Sequence, residues 1–116
     1  MDIDYTLDAL LDLNGAVIYQ ESGYWIFIEA RVIDSNERVP HGIKYSLTLH
    51  DSTGKRMLGM DNAHRIKKAS AYGKAPERSD HIHKADGSVI PYKFINAGKL
   101  LEDFFDLADA YMKETH

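Results

Sequence analysis

Polar and apolar positions alternate through the first half of the chain, and the period changes near its end. Ile43, Tyr45, Leu47 and Leu49 alternate with Lys44, Ser46, Thr48 and His50, which is the two-residue period of a half-buried strand. Residues 24–33 give a longer strand. Tyr24, Ile26, Ile28, Ala30 and Val32 share one face, and Trp25, Phe27, Glu29, Arg31 and Ile33 share the other. The second face starts apolar and turns charged, so Trp25 and Phe27 are expected in the core or against a helix. Residues 16–20 form a short β-prone run, joined to the long strand by a hairpin connection at Glu21-Ser22-Gly23. Asp51-Ser52-Thr53-Gly54 is turn chemistry, and residues 55–61 return as the next strand of an antiparallel meander. Residues 89–95 supply a last strand. Pro91 has no backbone donor and puts it at a sheet edge.

Beyond that strand, Ala97, Leu100, Leu101, Phe104, Ala108, Tyr111 and Met112 recur at helical spacing, with Glu102, Asp103, Asp106 and Asp109 on the opposite side. Asn96 is placed to cap this helix, which runs to about Lys113. Its apolar stripe is expected to pack on the sheet; the alternative is a docking face for a partner. Residues 1–13 fit strand and helix templates alike, and a short helix over residues 7–13, stopped by Asn14-Gly15, is the reading adopted. Residues 66–80 have no period and read as a long loop of the kind that is usually functional or disordered. The predicted architecture is α+β: a mainly antiparallel meander of four to five strands with the C-terminal helix packed on one face, in a single domain over residues 1–116.

Composition narrows the chemistry. The chain has no cysteine, which removes disulfides, thiolate nucleophiles and Cys-based zinc sites. No apolar run is long enough for a membrane span, and the acidic N-terminus lacks the order of a secretory signal, so a cytoplasmic location is expected. The net charge of −4 is unevenly spread. Residues 64–84 hold six basic and two acidic side chains, a local balance of +4 that leaves −8 for the rest. Such asymmetry makes a local anion-attracting surface on an acidic body. No Walker, Rossmann or nucleophile-elbow pattern occurs, which argues against NTPases, dinucleotide enzymes and serine hydrolases of the usual kinds.

The basic stretch is flanked by Asp61-Asn62-Ala63-His64 and Asp80-His81-Ile82-His83. Alternation in an extended segment turns His81 and His83 to the same side. If His64 lies beside them, imidazoles, a carboxylate and cations converge. One chemistry this suits is metal-free RNA cleavage, which needs a base for the 2′-hydroxyl, an acid for the leaving 5′-oxygen and a cation for the crowded phosphate. Histidine serves both proton roles because it titrates near working pH. Asp61 would orient an imidazole. Lys44 and Arg56 are candidate phosphate clamps, Lys67, Lys68 and Lys74 supply attraction, and Tyr72 can stack on a base. That reading calls for no metal and no cofactor. A second chemistry is a metal site built from the same histidines and Asp61. A third reading leaves the histidines solvated, Asp61-Asn62 as turn caps and the outward face of residues 43–50 as plain surface.

A chain-long resemblance bears on the choice. The run His41-Gly42-Ile43-Lys44-Tyr45-Ser46-Leu47-Thr48-Leu49-His50-Asp51 leads through Gly54-Lys55-Arg56 to Met60-Asp61-Asn62-Ala63-His64. Asp80-His81-Ile82-His83, Pro91-Tyr92-Lys93-Phe94 and Leu100-Leu101-Glu102-Asp103-Phe104-Phe105 follow. This order resembles the TumE family, toxins of bacterial and archaeal toxin–antitoxin modules, across residues 5–112. Met60 stands where that motif often has an aromatic. The resemblance implies a cognate helix-turn-helix antitoxin of the TumA type, and a compact fold similar to the RelE/barnase-like ribonuclease toxins. It supplies no catalytic residues, so those named above rest on chemistry alone. A non-catalytic protein-interaction module and a metal-dependent hydrolase remain the alternatives to a metal-independent ribonuclease.

Overall fold

The computed structural model describes residues 4–34, 41–62 and 80–114. In chain order these form α1 (Leu7–Asp12), β1 (Ala16–Tyr19), β2 (Trp25–Val32), β3 (Ile43–His50), β4 (Arg56–Asp61), β5 (His81–Lys84), β6 (Val89–Pro91) and α2 (Ala97–Glu114). The strands make one antiparallel sheet whose spatial order is the chain order, β1 to β6. The fold is therefore α+β, with six strands where four to five were expected. The additional strand is β5, a His-Ile-His-Lys segment too short to show a period of its own. The last strand also stops early, at Pro91 rather than residue 95. One more contact follows in the same register, the Tyr92 N–H donating to the Asp80 carbonyl at 2.9 Å, and the pairing ends there. Among the described residues no helix is long and apolar enough to cross a membrane.

One sheet face carries the core. Ile26, Ile28 and Ala30 of β2, Ile43, Tyr45, Leu47 and Leu49 of β3, and Leu58 and Met60 of β4 are buried with Leu10 of α1 and with Ala97, Leu100, Phe104 and Ala108 of α2. The register explains the layer: Ile28 faces Leu47, Leu47 faces Met60 and Met60 faces Ile82, so apolar side chains stand in rows across the strands. Burial of each large aliphatic side chain is worth about 1.5–3 kcal/mol. The helix stripe read from the sequence is the face that packs here.

The first turn of α2 is satisfied from two directions. Asn96 Oδ1 accepts the Lys99 N–H at 2.7 Å, which is the predicted cap. Asp4 Oδ2 accepts the Ala97 N–H at 2.8 Å, and Thr6 Oγ1 accepts the Gly98 N–H at 2.7 Å. The chain entering α1 thus closes the N-terminus of α2. Burial acts to raise the Asp4 carboxyl, but the hydrogen bonds from Thr6 and Ala97 outweigh it and hold the group below its ordinary value. Gly98 is required by this contact: a Cβ there would stand 2.8 Å from Thr6 Cγ2.

A carboxylate between two imidazoles on the open face

Among the described residues no helix packs on the other sheet face. Its side chains form rows fixed by the register. Trp25, His50 and Arg56 make one row; Phe27, Thr48, Gly59 and His83 make the next; Glu29, Ser46, Asp61 and His81 make the third. Trp25 and Phe27 are thus on the open face, half-buried, and not in the core or against the helix as expected. Both faces of β2 begin apolar, and the choice is made by the partner strand, which turns Leu47 and Leu49 the other way. Trp25 stacks on His50 with ring centroids 4.0 Å apart and an interplanar angle of 10°.

Asp61, the last residue of β4, lies between the two histidines of β5. Its Oδ2 is 3.2 Å from His83 Nε2 and its Oδ1 is 3.6 Å from His81 Nε2. The two rings meet edge-on, with centroids 5.0 Å apart. Side-chain exposure is 16% for Asp61, 24% for His81 and 18% for His83. The group is therefore shielded enough for charges to interact and still open to a ligand. One ligand atom from each of the three side chains lies within 4.8 Å of the others, close enough to hold a metal ion. The arrangement can share protons through the carboxylate, stabilise an imidazolium or coordinate a metal.

Arg56 joins this face through an irregularity. Leu49 pairs with Leu58 but His50 pairs with Arg56, so Met57 is an extra residue in β4. Strict alternation would put Arg56 on the buried side with Leu58 and Met60. The bulge turns it to the open side instead, the re-aiming that bulges provide. Its side chain runs over Gly59, with Cδ 3.4 Å and Nη1 3.6 Å from the place where a Cβ would stand. Gly59 pairs directly with His83, so the missing side chain lets the guanidinium approach the histidines. Lys44 is exposed on the same face, one row beyond Ser46 and Asp61. The structure brings together Asp61, His81 and His83, with Arg56 and Lys44 flanking them. His64, Lys67, Lys68, Tyr72 and Lys74 lie outside the described residues.

The neighbouring Asn62 and Asp80 are structural. Asn62 is 1% exposed, and its Oδ1 accepts the Tyr45 N–H at 3.0 Å where β4 leaves β3. Asp80 is 2% exposed, and its Oδ2 accepts the Tyr45 hydroxyl at 2.8 Å and faces His41 Nε2 at 3.0 Å. His41 Nδ1 accepts the Ile43 N–H at 3.2 Å, which assigns the ring proton to Nε2 and makes Asp80 its acceptor. The His41 ring also stacks on Phe94, with centroids 4.0 Å apart. Burial, and then the Asp80 charge, push the Tyr45 hydroxyl far above its ordinary value, so it stays a donor. This cluster fixes the residue before β5 and so aims His81 and His83. The sequence reading singled out neither His41 nor Asp80 for this role; their partners are 35 to 39 residues away along the chain.

Fold and site together define a small α+β protein with one helix-covered sheet face and a second face, open among the described residues, bearing a carboxylate, two imidazoles and a guanidinium. The family model for toxin TumE matches residues 4–112, and the chain belongs to that family. Membership of a toxin family implies a toxin role and an antitoxin partner. No curated protein and no solved structure matches the chain.

Proposed function

We propose that this protein is a toxin that acts on RNA as a metal-independent endoribonuclease, with His81 and His83 as the acid–base pair and Asp61 as their orienting carboxylate. The observation that carries the reading is Asp61 held 3.2 and 3.6 Å from the two imidazoles on a sheet face that no described helix covers. In the reaction one imidazole takes the 2′-hydroxyl proton as the 2′-oxygen attacks phosphorus. The other, as imidazolium, gives its proton to the departing 5′-oxygen. Asp61 stabilises whichever ring is charged. Arg56, lying over Gly59 beside His83, donates to the phosphoryl oxygens, and Lys44 holds the strand on the other side of Asp61. His64 belongs to the proposal as a third proton-transfer group. Lys67, Lys68 and Lys74 are the electrostatic guide and Tyr72 the stacking residue, so binding should weaken steeply with salt. The partner that silences the toxin is a helix-turn-helix antitoxin of the TumA type, and both act in the cytoplasm.

The test is cleavage of RNA by the purified protein, with and without EDTA, beside the His81→Ala/His83→Ala variant. Cleavage that survives EDTA and falls about 10²–10⁴-fold in the variant supports the proposal. Cleavage abolished by EDTA transfers it to a metal-dependent hydrolase. No cleavage under any condition, with no growth arrest when the protein is expressed alone, leaves a non-catalytic interaction module.

A further inference from the structure

We infer that Asp61, His81 and His83 form a three-ligand site for a divalent transition metal of the zinc class, and that occupancy switches the toxin off. The second half rests on the ribonuclease reading above; the first does not. The donors are two imidazole nitrogens and one carboxylate oxygen. That set suits Zn²⁺, Co²⁺, Ni²⁺ or Cu²⁺ and is a poor match for Mg²⁺ or Ca²⁺, which take oxygen ligands.

The spacing fits. Zinc bonds of about 2.0–2.1 Å set tetrahedrally place neighbouring donors roughly 3.3–3.4 Å apart. Asp61 Oδ2 and His83 Nε2 are 3.2 Å apart, and Asp61 Oδ1 and His81 Nε2 are 3.6 Å apart. One ligand atom from each of the three residues falls within 4.8 Å of the other two. Small rotations of the side chains would bring all three to one centre. The frame is stiff because two adjacent strands supply it: His81 pairs with Asp61, and His83 stands two residues along on the same side. Asp80, anchored by Tyr45 and His41, fixes the start of β5. With three protein ligands, the fourth position is left for a water or another donor.

The two uses of the site exclude each other. A metal takes the nitrogen lone pairs that proton transfer needs, and it neutralises the carboxylate that would stabilise an imidazolium. No covalent change is involved: the ion binds, displaces any proton on the coordinating nitrogens, and leaves when a chelator removes it.

The experiment titrates the full chain with Zn²⁺ by calorimetry and with Co²⁺ by visible absorption, beside Asp61→Asn and His81→Ala/His83→Ala. Circular dichroism checks that each variant keeps its fold. The expected result is one ion per chain, with affinity lowered by at least about 10–100-fold in both variants, since even residues behind a metal ligand commonly cost that much. Added Zn²⁺ should also stop RNA cleavage, and EDTA should restore it. Absence of binding, or binding that the variants leave unchanged, overturns the site. Zn²⁺ that binds at Asp61 and raises cleavage overturns the inhibitory role. A chain that binds Zn²⁺ with the predicted variant pattern but cleaves no RNA counts against the ribonuclease reading and for the metal site.

Discussion

Replacing Gly59 separates stability from activity, in a direction the geometry fixes. A Cβ at this position would stand 3.4 Å from Arg56 Cδ and 3.6 Å from both Nε and Nη1. Those are ordinary contacts with a flexible side chain, so Gly59→Ala fits without moving the backbone. Glycine in a strand interior costs unfolded-state entropy that alanine does not, and the substitution should stabilise the fold by about 0.4–1 kcal/mol. For a chain of this size that raises Tm by roughly 2–6 °C. Valine fills two of the three staggered positions about Cβ, each about 1.5 Å further out, and takes the volume that the Arg56 stem crosses. Gly59→Val should therefore keep or raise Tm but push the guanidinium off the face. If Arg56 donates to phosphate, the loss of one charge-assisted hydrogen bond, about 1.5–3 kcal/mol, lowers kcat/KM about 10–150-fold. Arg56→Ala should match that loss. The assay is cleavage of a short RNA by each variant, with Tm followed by circular dichroism. A Gly59→Val variant that cleaves like the parent, or a Gly59→Ala variant that loses as much as Gly59→Val, refutes the placement of Arg56 as the phosphate contact.

Three further outcomes follow from the packing. Gly98→Ala should destabilise by about 1–3 kcal/mol in urea unfolding although alanine favours a helix, because its Cβ would meet Thr6 Cγ2 at 2.8 Å and strain the hydrogen bond that caps α2; Thr6→Ser in the same background should recover part of the loss. Asp4→Ala should cost about 1 kcal/mol near neutral pH. Since hydrogen bonds depress the Asp4 carboxyl in the fold, its share of stability is present above the ordinary value of 3.8 and is lost as pH falls through the lower folded value, so parent and variant should converge in acid. Asp80→Ala leaves the Tyr45 hydroxyl and His41 Nε2–H without their acceptor, at a cost of about 2–5 kcal/mol by chemical denaturation; equal stability would show that the cluster is not what fixes β5.

How much of this was legible in the sequence differs from one residue to the next. Strict alternation located β3 to the residue and put His81 and His83 on one side, because period two belongs to the strand itself. The Asn96 cap and the α2 stripe were equally local. Trp25 and Phe27 were misplaced because β2 starts with two apolar faces, and only β3 decides which one meets the helix. Arg56 was named for its charge alone; the bulge that turns it outward is a property of two strands in register. The Asp80 cluster was invisible for the same reason, since its members are brought together by the sheet and not by spacing. Asp61 lies at the end of a strand, where alternation placed it, and Asn62 is the strand-end acceptor that its chemistry allowed.

The strand order carries a consequence for synthesis. Because the sheet is built in the order in which the ribosome delivers it, each strand pairs with the one made just before it, and the longest wait is the span of residues 62–80 between β4 and β5. Helix α2 comes last of the described elements, and it shares with α1 the core that holds Ile28, Leu47 and Met60. Until residues 97–114 are released the nascent chain leaves part of that apolar layer without its helix, and the hydrogen bonds from the Ala97 and Gly98 N–H groups back to Asp4 and Thr6 then tie α2 to the chain entering α1. A chain stopped before residue 97 lacks the Ala97, Leu100, Phe104 and Ala108 part of the core, so the sheet left behind should not hold a stable fold.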